Sequence, residues 1–345
     1  MKTRVLPISS ASIQEACHIL RQGDIVAFPT ETVYGLGALG LLSDSVQKIF
    51  KAKGRPSTDP LILHLPSTDL AQARATGVIT DPIPQNSQLL AKAFWPGPLT
   101  LILPRGPKVP YEVTAGLETV AIRCPSHLGA QQLLTAIGAP LAAPSANRFG
   151  RISPTDASAV LQELDGKIPL ILDGGPCLNG IESTVVSFSQ NQPTILRPGV
   201  ITAQAISQLL GLDCEISCRT QLQDTPASSP GMLASHYAPL SPLYYCQEPI
   251  KTFLPNFQHI LFYSPQEPKP DHAHILSPNQ NPQEAAQNLY RLLRIADAQS
   301  PQAILIDPVP PSDLAPALQD RIFRASTGSA IWQGSSWSFE ARDKA

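Results

Sequence analysis

AFPTETVYGLGALG, residues 27–40, carries the G-x-G-x-x-G spacing of a dinucleotide-binding turn at Gly35, Gly37 and Gly40. In that fingerprint the glycines close a strand and open a helix whose N-terminus faces a pyrophosphate. Here six residues, 29–34, intervene between the apolar run 25–28 and Gly35. The next helical pattern can be capped only at Ser43 or Asp44. Asp59 lies near the spacing of a ribose-binding carboxylate, but inside the loop GRPSTDP and not at a strand tip. The glycines therefore predict no nicotinamide or flavin site. A P-loop, G-x-x-x-x-G-K-[ST], and a hydrolase elbow, G-x-S-x-G, are also missing from the chain.

Working outward, short β-rich runs alternate with helical patterns, as in an α/β sheet. Strands are expected at 25–28, 61–65, 99–103, 119–123, 141–144, 170–173 and 184–188. Helices are expected at 12–22, from 43 or 44 to Gly54, and at 86–94, 126–137, 155–164 and 202–210. Several strands follow one another without a helix between them, so the sheet should be mixed. The stretch 219–242 is rich in Pro and Ser, lacks periodicity, and is expected to be a linker. Beyond it LYYC, HILFY and AILID read as strands, with an amphipathic helix at 282–298. That pattern is a second, smaller α/β unit. The expected division is a catalytic unit over 1–212, a linker over 213–242 and a further domain over 243–345.

Composition narrows the class. The 345 residues are 43% hydrophobic and 15% charged, enough for two cored domains. The net charge of -2 is uneven, +2 over residues 1–210 and -4 beyond, which excludes a general polyanion coat. Six scattered cysteines, no C-x-x-C, no apolar run near ~20 residues and no secretion signal at the N-terminus point to a reduced, cytoplasmic protein without a membrane span. Cys214 and Cys218 lack a nearby His for metal binding, and His272 and His274 lack a third ligand.

Four polar loops follow predicted strands, at 29–37, 51–64, 143–155 and 174–186, where open α/β sheets usually bind ligands. They and their neighbours hold cations (Lys53, Arg55, Arg123, Arg197) and oriented donors (Thr30, Thr32, Ser145, Asn147, Ser153, Ser183, Thr184). No Ser or Cys is placed beside a His as a nucleophile. Such a set binds and aligns anions and is not built for covalent catalysis. Each member has an ordinary alternative. Lys53 and Arg55 could simply complement a helix C-terminus, and Ser145 and Asn147 could cap a turn. His64 could be a core histidine, and Arg123 half of an ion pair.

Taken in order, FPTETVYGLG, KAKGRPSTDPLILH, FWPGPLTLIL, VAIRCPSH, APSANRFGRISPT, GGPCLNGIESTVV and ILRPG resemble the YrdC/Sua5 family of threonylcarbamoyl-AMP synthases. SPGMLASHYAP (229–239) and the trailing unit are similar to the long, two-domain form. The resemblance implies a twisted open mixed α/β sheet followed by a Rossmann-like domain. It also implies a nucleotidyltransferase that joins ATP, L-threonine and bicarbonate into L-threonylcarbamoyl-AMP, with Mg2+ accompanying ATP. The product would pass to the machinery that makes t6A at position 37 of tRNA, with any contact to tRNA indirect.

By that resemblance Lys53, Arg55, Ser145 and Asn147 form the catalytic set and hold the phosphates. Asp59, Thr119, Ser153 and Arg197 complete the ATP site, with His236 and Tyr237 reaching it from a strap. Thr32, His64, Arg123, Ala143 and Ser183 form the threonine pocket, and the resemblance assigns no protein ligands to the metal. Recognising threonine over serine rests on one methyl, worth ~1–3 kcal/mol, so some use of serine is expected. Two rivals stay open at this stage. One is an RNA-binding or ribosome-maturation factor; the other is a carbamoyl transferase related to the hydrogenase maturation proteins.

Overall fold

The computed structural model describes residues 2–189, 191–217, 236–250, 259–265, 273–334 and 337–342. The first unit opens with β1 (Arg4–Pro7), α1 (Ser10–Arg21), β2 (Val26–Phe28), β3 (Gly35–Leu39), α2 (Ser43–Lys53) and β4 (Ile62–His64). There follow α3 (Leu70–Ala75), α4 (Gln85–Phe94), β5 (Leu99–Pro104), α5 (Tyr111–Thr114), β6 (Thr119–Arg123), α6 (Leu128–Ile137) and β7 (Leu141–Ala142). It closes with α7 (Ala157–Leu164), β8 (Leu170–Asp173), β9 (Thr184–Ser189), β10 (Gln192–Arg197), α8 (Ala203–Leu210) and β11 (Glu215–Ile216).

These strands form one eleven-stranded sheet in the order β1-β8-β2-β3-β7-β4-β6-β5-β9-β10-β11. It is mixed, as expected: β4 and β6 run parallel, whereas β3 and β7, and β5 and β6, run antiparallel. Side-chain caps start most of the helices that the pattern predicted. Ser9 and Ser12 make a capping box, Asp156 caps α7 and Thr202 caps α8. The start of α2 departs from expectation. Leu42 is its N-cap residue and has no side-chain acceptor to offer, while Ser43 falls inside the helix and donates its hydroxyl to Glu112 Oε1 at 2.6 Å.

The glycine-rich stretch is itself a strand. β3 pairs antiparallel with β2, setting Val26 opposite Gly37 and Phe28 opposite Gly35. A Cβ on Gly37 would stand 2.8 Å from the Phe28 ring, and one on Gly40 would stand 2.5 Å from Leu63. These glycines serve close packing across a sheet and do not open a helix.

The second unit holds β12 (Leu243–Cys246), β13 (His259–Phe262), β14 (Ala273–Ile275), α9 (Pro282–Asp297), β15 (Ile304–Ile306), α10 (Ala315–Ala325), β16 (Gly328–Trp332) and β17 (Trp337–Ala341). Its six-stranded sheet, β14-β13-β15-β12-β16-β17, is parallel except for β17. Asn281 caps α9, and Pro282 opens it. One buried apolar cluster joins the units, with Val33, Ile152, Ile181 and Tyr237 packed among Leu289, Tyr290, Leu293 and Leu318. Among the described residues no helix is long and apolar enough to cross a membrane. Cys218, His272 and most of the expected linker, including residues 229–235 of the strap motif, lie outside the described residues.

Candidate active site

One cavity is lined by residues from all four of the loops that the sequence singled out, together with Ile62 and His64 of β4 and Arg123 of β6. Strand alternation turns Ile62 and His64 of β4 to the same side, and His64 pairs in register with Arg123 of β6. The cavity over this face is lined by Thr30, Thr32 and Val33, by Arg55, and by Ala143, Pro144 and Ser145. Glu182, Ser183, Arg197, His236 and Tyr237 close it. The five residues expected around threonine, Thr32, His64, Arg123, Ala143 and Ser183, therefore come together from five separate segments.

Arg123 is buried and held from three sides. Its Nε donates to Gly97 O at 3.2 Å and its Nη1 to Thr32 Oγ1 at 2.9 Å. Its Nη2 stands 2.7 Å from Glu31 Oε1. A guanidinium carries five N–H groups, so two remain for a ligand carboxylate. His64 cannot share the charge. Burial first, and the Arg123 guanidinium second, push its pKa down to about 3, and its Nδ1 faces Ile62 O at 3.3 Å. It stays neutral at physiological pH and offers a polar edge, not a cation.

The expected phosphate set divides in two. Gly54, at φ 65, ends α2 and turns the chain so that Lys53 and Arg55 both point inward. Arg55 lines the cavity, fixed by Asp59 Oδ1 at 2.9 Å and by the carbonyls of Asp59 and Pro60 at 3.2 and 2.7 Å. Lys53 does not line it. Its Nζ donates to the carbonyl oxygens of Ser145 and Asn147, each at 2.5 Å. Where the sequence suggested a phosphate ligand, the structure shows Lys53 clamping the 145–147 loop. Burial holds its pKa well below the ordinary lysine value.

Asn147 likewise turns inward, donating Nδ2 to Arg148 O and Arg151 O at 2.8 Å, while Ser145 faces the cavity. Asp59 and Ser153 support the wall without lining it. Asp59 grips Arg55, and Ser153 donates to Glu182 Oε1 at 2.6 Å. Arg197 lines the wall and binds Ser183 O and Oγ at 3.1 Å. Thr119 is exposed and stands four residues before Arg123 on the same face of β6, outside this cavity. It borders a neighbouring groove with Ile102, Pro104 and Leu196, reached across the apolar strip Ile62, Ala121 and Val185.

His236 and Tyr237 enter the cavity from the strap. Burial, with Arg55 as the largest of the nearby charges, keeps His236 neutral. Tyr237 holds a left-handed backbone, φ 65, rare for a bulky residue. Its hydroxyl is buried without a hydrogen-bond partner among the described residues. Sequence reasoning missed Glu31 and Glu182, although both lie inside the quoted motifs, because nothing local marks which carboxylate will meet a distant arginine. It also missed Tyr290 and Arg321, which reach Glu182 from the second unit.

Three cations and a ring of hydroxyls on the face of an open mixed sheet define an anion-aligning α/β protein with a second α/β domain against its site. More narrowly, the chain belongs to the Sua5/YrdC family. A model described as "Telomere recombination", covering Sua5, YciO and YrdC, matches residues 18–199. A model of the threonylcarbamoyl-AMP synthase C-terminal domain matches residues 201–327. The chain is similar to the threonylcarbamoyl-AMP synthase of Bacillus subtilis, 39% identical over 95% of this chain and 97% of that one. It is also similar to the Pyrococcus abyssi enzyme of the same name, 37% identical over 92% and 95%. The crystal structure of P. abyssi Sua5 complexed with L-threonine superposes with a TM-score of 0.83 at 36% identity, covering 94% of this chain and 97% of that one.

Proposed function

We infer that the protein is a threonylcarbamoyl-AMP synthase, converting ATP, L-threonine and bicarbonate into L-threonylcarbamoyl-AMP and pyrophosphate. The observation that carries this is the convergence of Arg55, Arg123 and Arg197 with Thr30, Thr32, Ser145 and Ser183 on one buried cavity. Among the described residues no cysteine lines it, and neither His64 nor His236 has a serine or threonine hydroxyl as partner. The chemistry needs alignment and charge neutralisation. Threonine's amine attacks the carbon of bicarbonate, and water leaves to give a carbamate. A carbamate oxygen then bonds to the α-phosphorus of ATP as the bond to pyrophosphate breaks.

Two anions must therefore be brought together, and the arginines do this work. Arg123 takes the threonine carboxylate, with Thr32, Ala143, Ser183 and neutral His64 shaping the pocket. Arg55 and Arg197 face the phosphates, and Ser145 adds a hydroxyl. The adenosine extends over Ile62, Ala121 and Ile102 toward Thr119, so that Thr119 contacts the nucleoside end.

Among the described residues no three His, Cys, Asp or Glu side chains gather as a cation site. Asp59 is committed to Arg55, and Glu182 takes donors from Ser153, Tyr290 and Arg321. That donor set fits Mg2+ arriving on the triphosphate and not a resident ion, and bound there it would neutralise phosphate oxygens. In this reading the adenylate serves t6A synthesis at position 37 of tRNA through a separate transferase, and the protein works in the cytoplasm. Mass spectrometry of a reaction holding ATP, threonine, bicarbonate and Mg2+ should find the threonylcarbamoyl adenylate and equimolar pyrophosphate. Threonine-independent pyrophosphate release would sink this reading.

A further inference from the structure

Two side chains of the second unit reach the wall of the cavity. Arg321, on α10 and fully buried, donates Nε to Glu182 Oε2 at 2.8 Å and Nη2 to Pro198 O at 2.9 Å. Tyr290, on α9, donates its hydroxyl to the same Oε2 at 3.0 Å. The Arg321 guanidinium carbon also stands 5.3 Å from the centroid of the Tyr237 ring. Arg321 does not line the cavity, whereas Glu182 and Tyr237 do.

A carboxylate in the wall of a cavity that receives a triphosphate works against its ligand, the more so where water is excluded. Glu182 is such a group, only 6% exposed. Burial alone would favour its neutral form, yet its pKa lies below the ordinary value, with Arg321 the largest of the causes that lower it. The charge is kept and matched. Within the first unit Ser153 gives it a hydroxyl and Arg197 a nearby charge, while the ion pair at 2.8 Å is made by Arg321 of the second.

We propose that Arg321 is a positioning residue for the adenylation, supplied by the second domain. It neutralises and fixes Glu182 in the cavity wall and supports Tyr237 from beneath, so that the triphosphate enters without meeting an unmatched carboxylate. The inference rests on the synthase reading above, and it gives the second domain a task in nucleotide binding.

The test is equilibrium titration of the full-length protein with ATP-Mg2+ and, separately, with threonine. Arg321→Met should weaken ATP binding about tenfold or more, as expected for a lost charge-assisted contact, and leave threonine binding within about twofold. In a Glu182→Gln background the same change should cost less than about twofold, because no unmatched carboxylate remains in the cavity wall; Asp320, which Arg321 also contacts, lies outside that wall and keeps Arg324. A folded Arg321→Met protein with wild-type ATP affinity overturns the proposal, as does an equal loss in both backgrounds. Should Arg321→Met alone not fold, the double variant is compared with Glu182→Gln. Equal ATP binding supports the role, and a tenfold loss or a failure to fold overturns it. Wild-type protein that binds no ATP would instead overturn the synthase reading itself.

Discussion

The Nζ of Lys53 stands 2.5 Å from the main-chain oxygen of Asn147, ninety-four residues away in sequence. The Lys53 side-chain nitrogen thus fastens the end of α2 to the loop that presents Ser145 to the cavity. Replacing Lys53 with Met should leave two buried carbonyls unmatched, at about 1–3 kcal/mol each. The expected outcome is a lowered Tm together with a loss of kcat/KM of about a hundredfold or more. A Lys53→Ala, Arg55→Ala pair, attractive from sequence as a clean active-site knockout, should lose stability as well, since Arg55 holds Asp59 in the interior. Thermal unfolding measured alongside product formation checks both points. A Lys53→Met protein with unchanged Tm and a raised ATP KM alone would favour direct phosphate contact.

Arg123 has two tasks that substitution can separate. It would take the threonine carboxylate, and it neutralises Glu31, which is 3% exposed. Arg123→Ala should raise the threonine KM about ten- to a hundredfold. It should also cost about 3–5 kcal/mol of stability by stranding the buried carboxylate. Adding Glu31→Gln should recover much of the stability and none of the threonine affinity. Recovery of both in the double variant would place the carboxylate elsewhere.

His64 sets an acid limit. Its pKa in the folded protein, about 3, lies below the ordinary histidine value of about 6.5. The unfolded chain therefore binds the extra proton between those values, and folding stability falls as pH drops through that window. The contribution is complete above about pH 6.5 and shrinks by about 1.4 kcal/mol for each unit below it. Denaturant unfolding at pH 7 and pH 5 should show this slope, and His64→Gln should flatten it. A slope unchanged by that substitution would mean the folded protein accepts the proton readily.

What the sequence disclosed, and what it withheld, divides by range. Helices announced themselves through their apolar period, as with 202–210 for α8, because that signal is local; the cap offered at Ser43 or Asp44 was not used. β3 was concealed by its glycines, which look like a turn until Phe28 is laid across Gly37. The grouping of Thr32, His64, Arg123, Ala143 and Ser183 on one cavity was legible because these residues belong to motifs. Lys53 shows where motif reading stops, since a motif names a residue without saying which way its side chain turns. Arg321 carried no signal, as its partner Glu182 lies 139 positions away.

Gly180 offers a test of how far the site depends on the contact between the two units. It holds φ 72, and a Cβ there would stand 2.4 Å from the Cα of Gln287 and 2.5 Å from Ala286 O, both on α9. Backbone on both sides leaves nothing flexible to give way, so Gly180→Ala must push α9 off the first unit or shift residues 180–182. Either movement disturbs Glu182 and its contact with Tyr290. Gly211 is a fitting control. It has a similar φ of 64, yet a methyl added there would meet nothing within 4 Å. Gly211→Ala should cost only about 1 kcal/mol of backbone strain and leave activity intact. Gly180→Ala should cost about 3 kcal/mol or more and lower kcat/KM for ATP at least about tenfold. Equal losses for the two variants, in Tm and in kcat/KM, would mean that α9 does not press on the cavity wall.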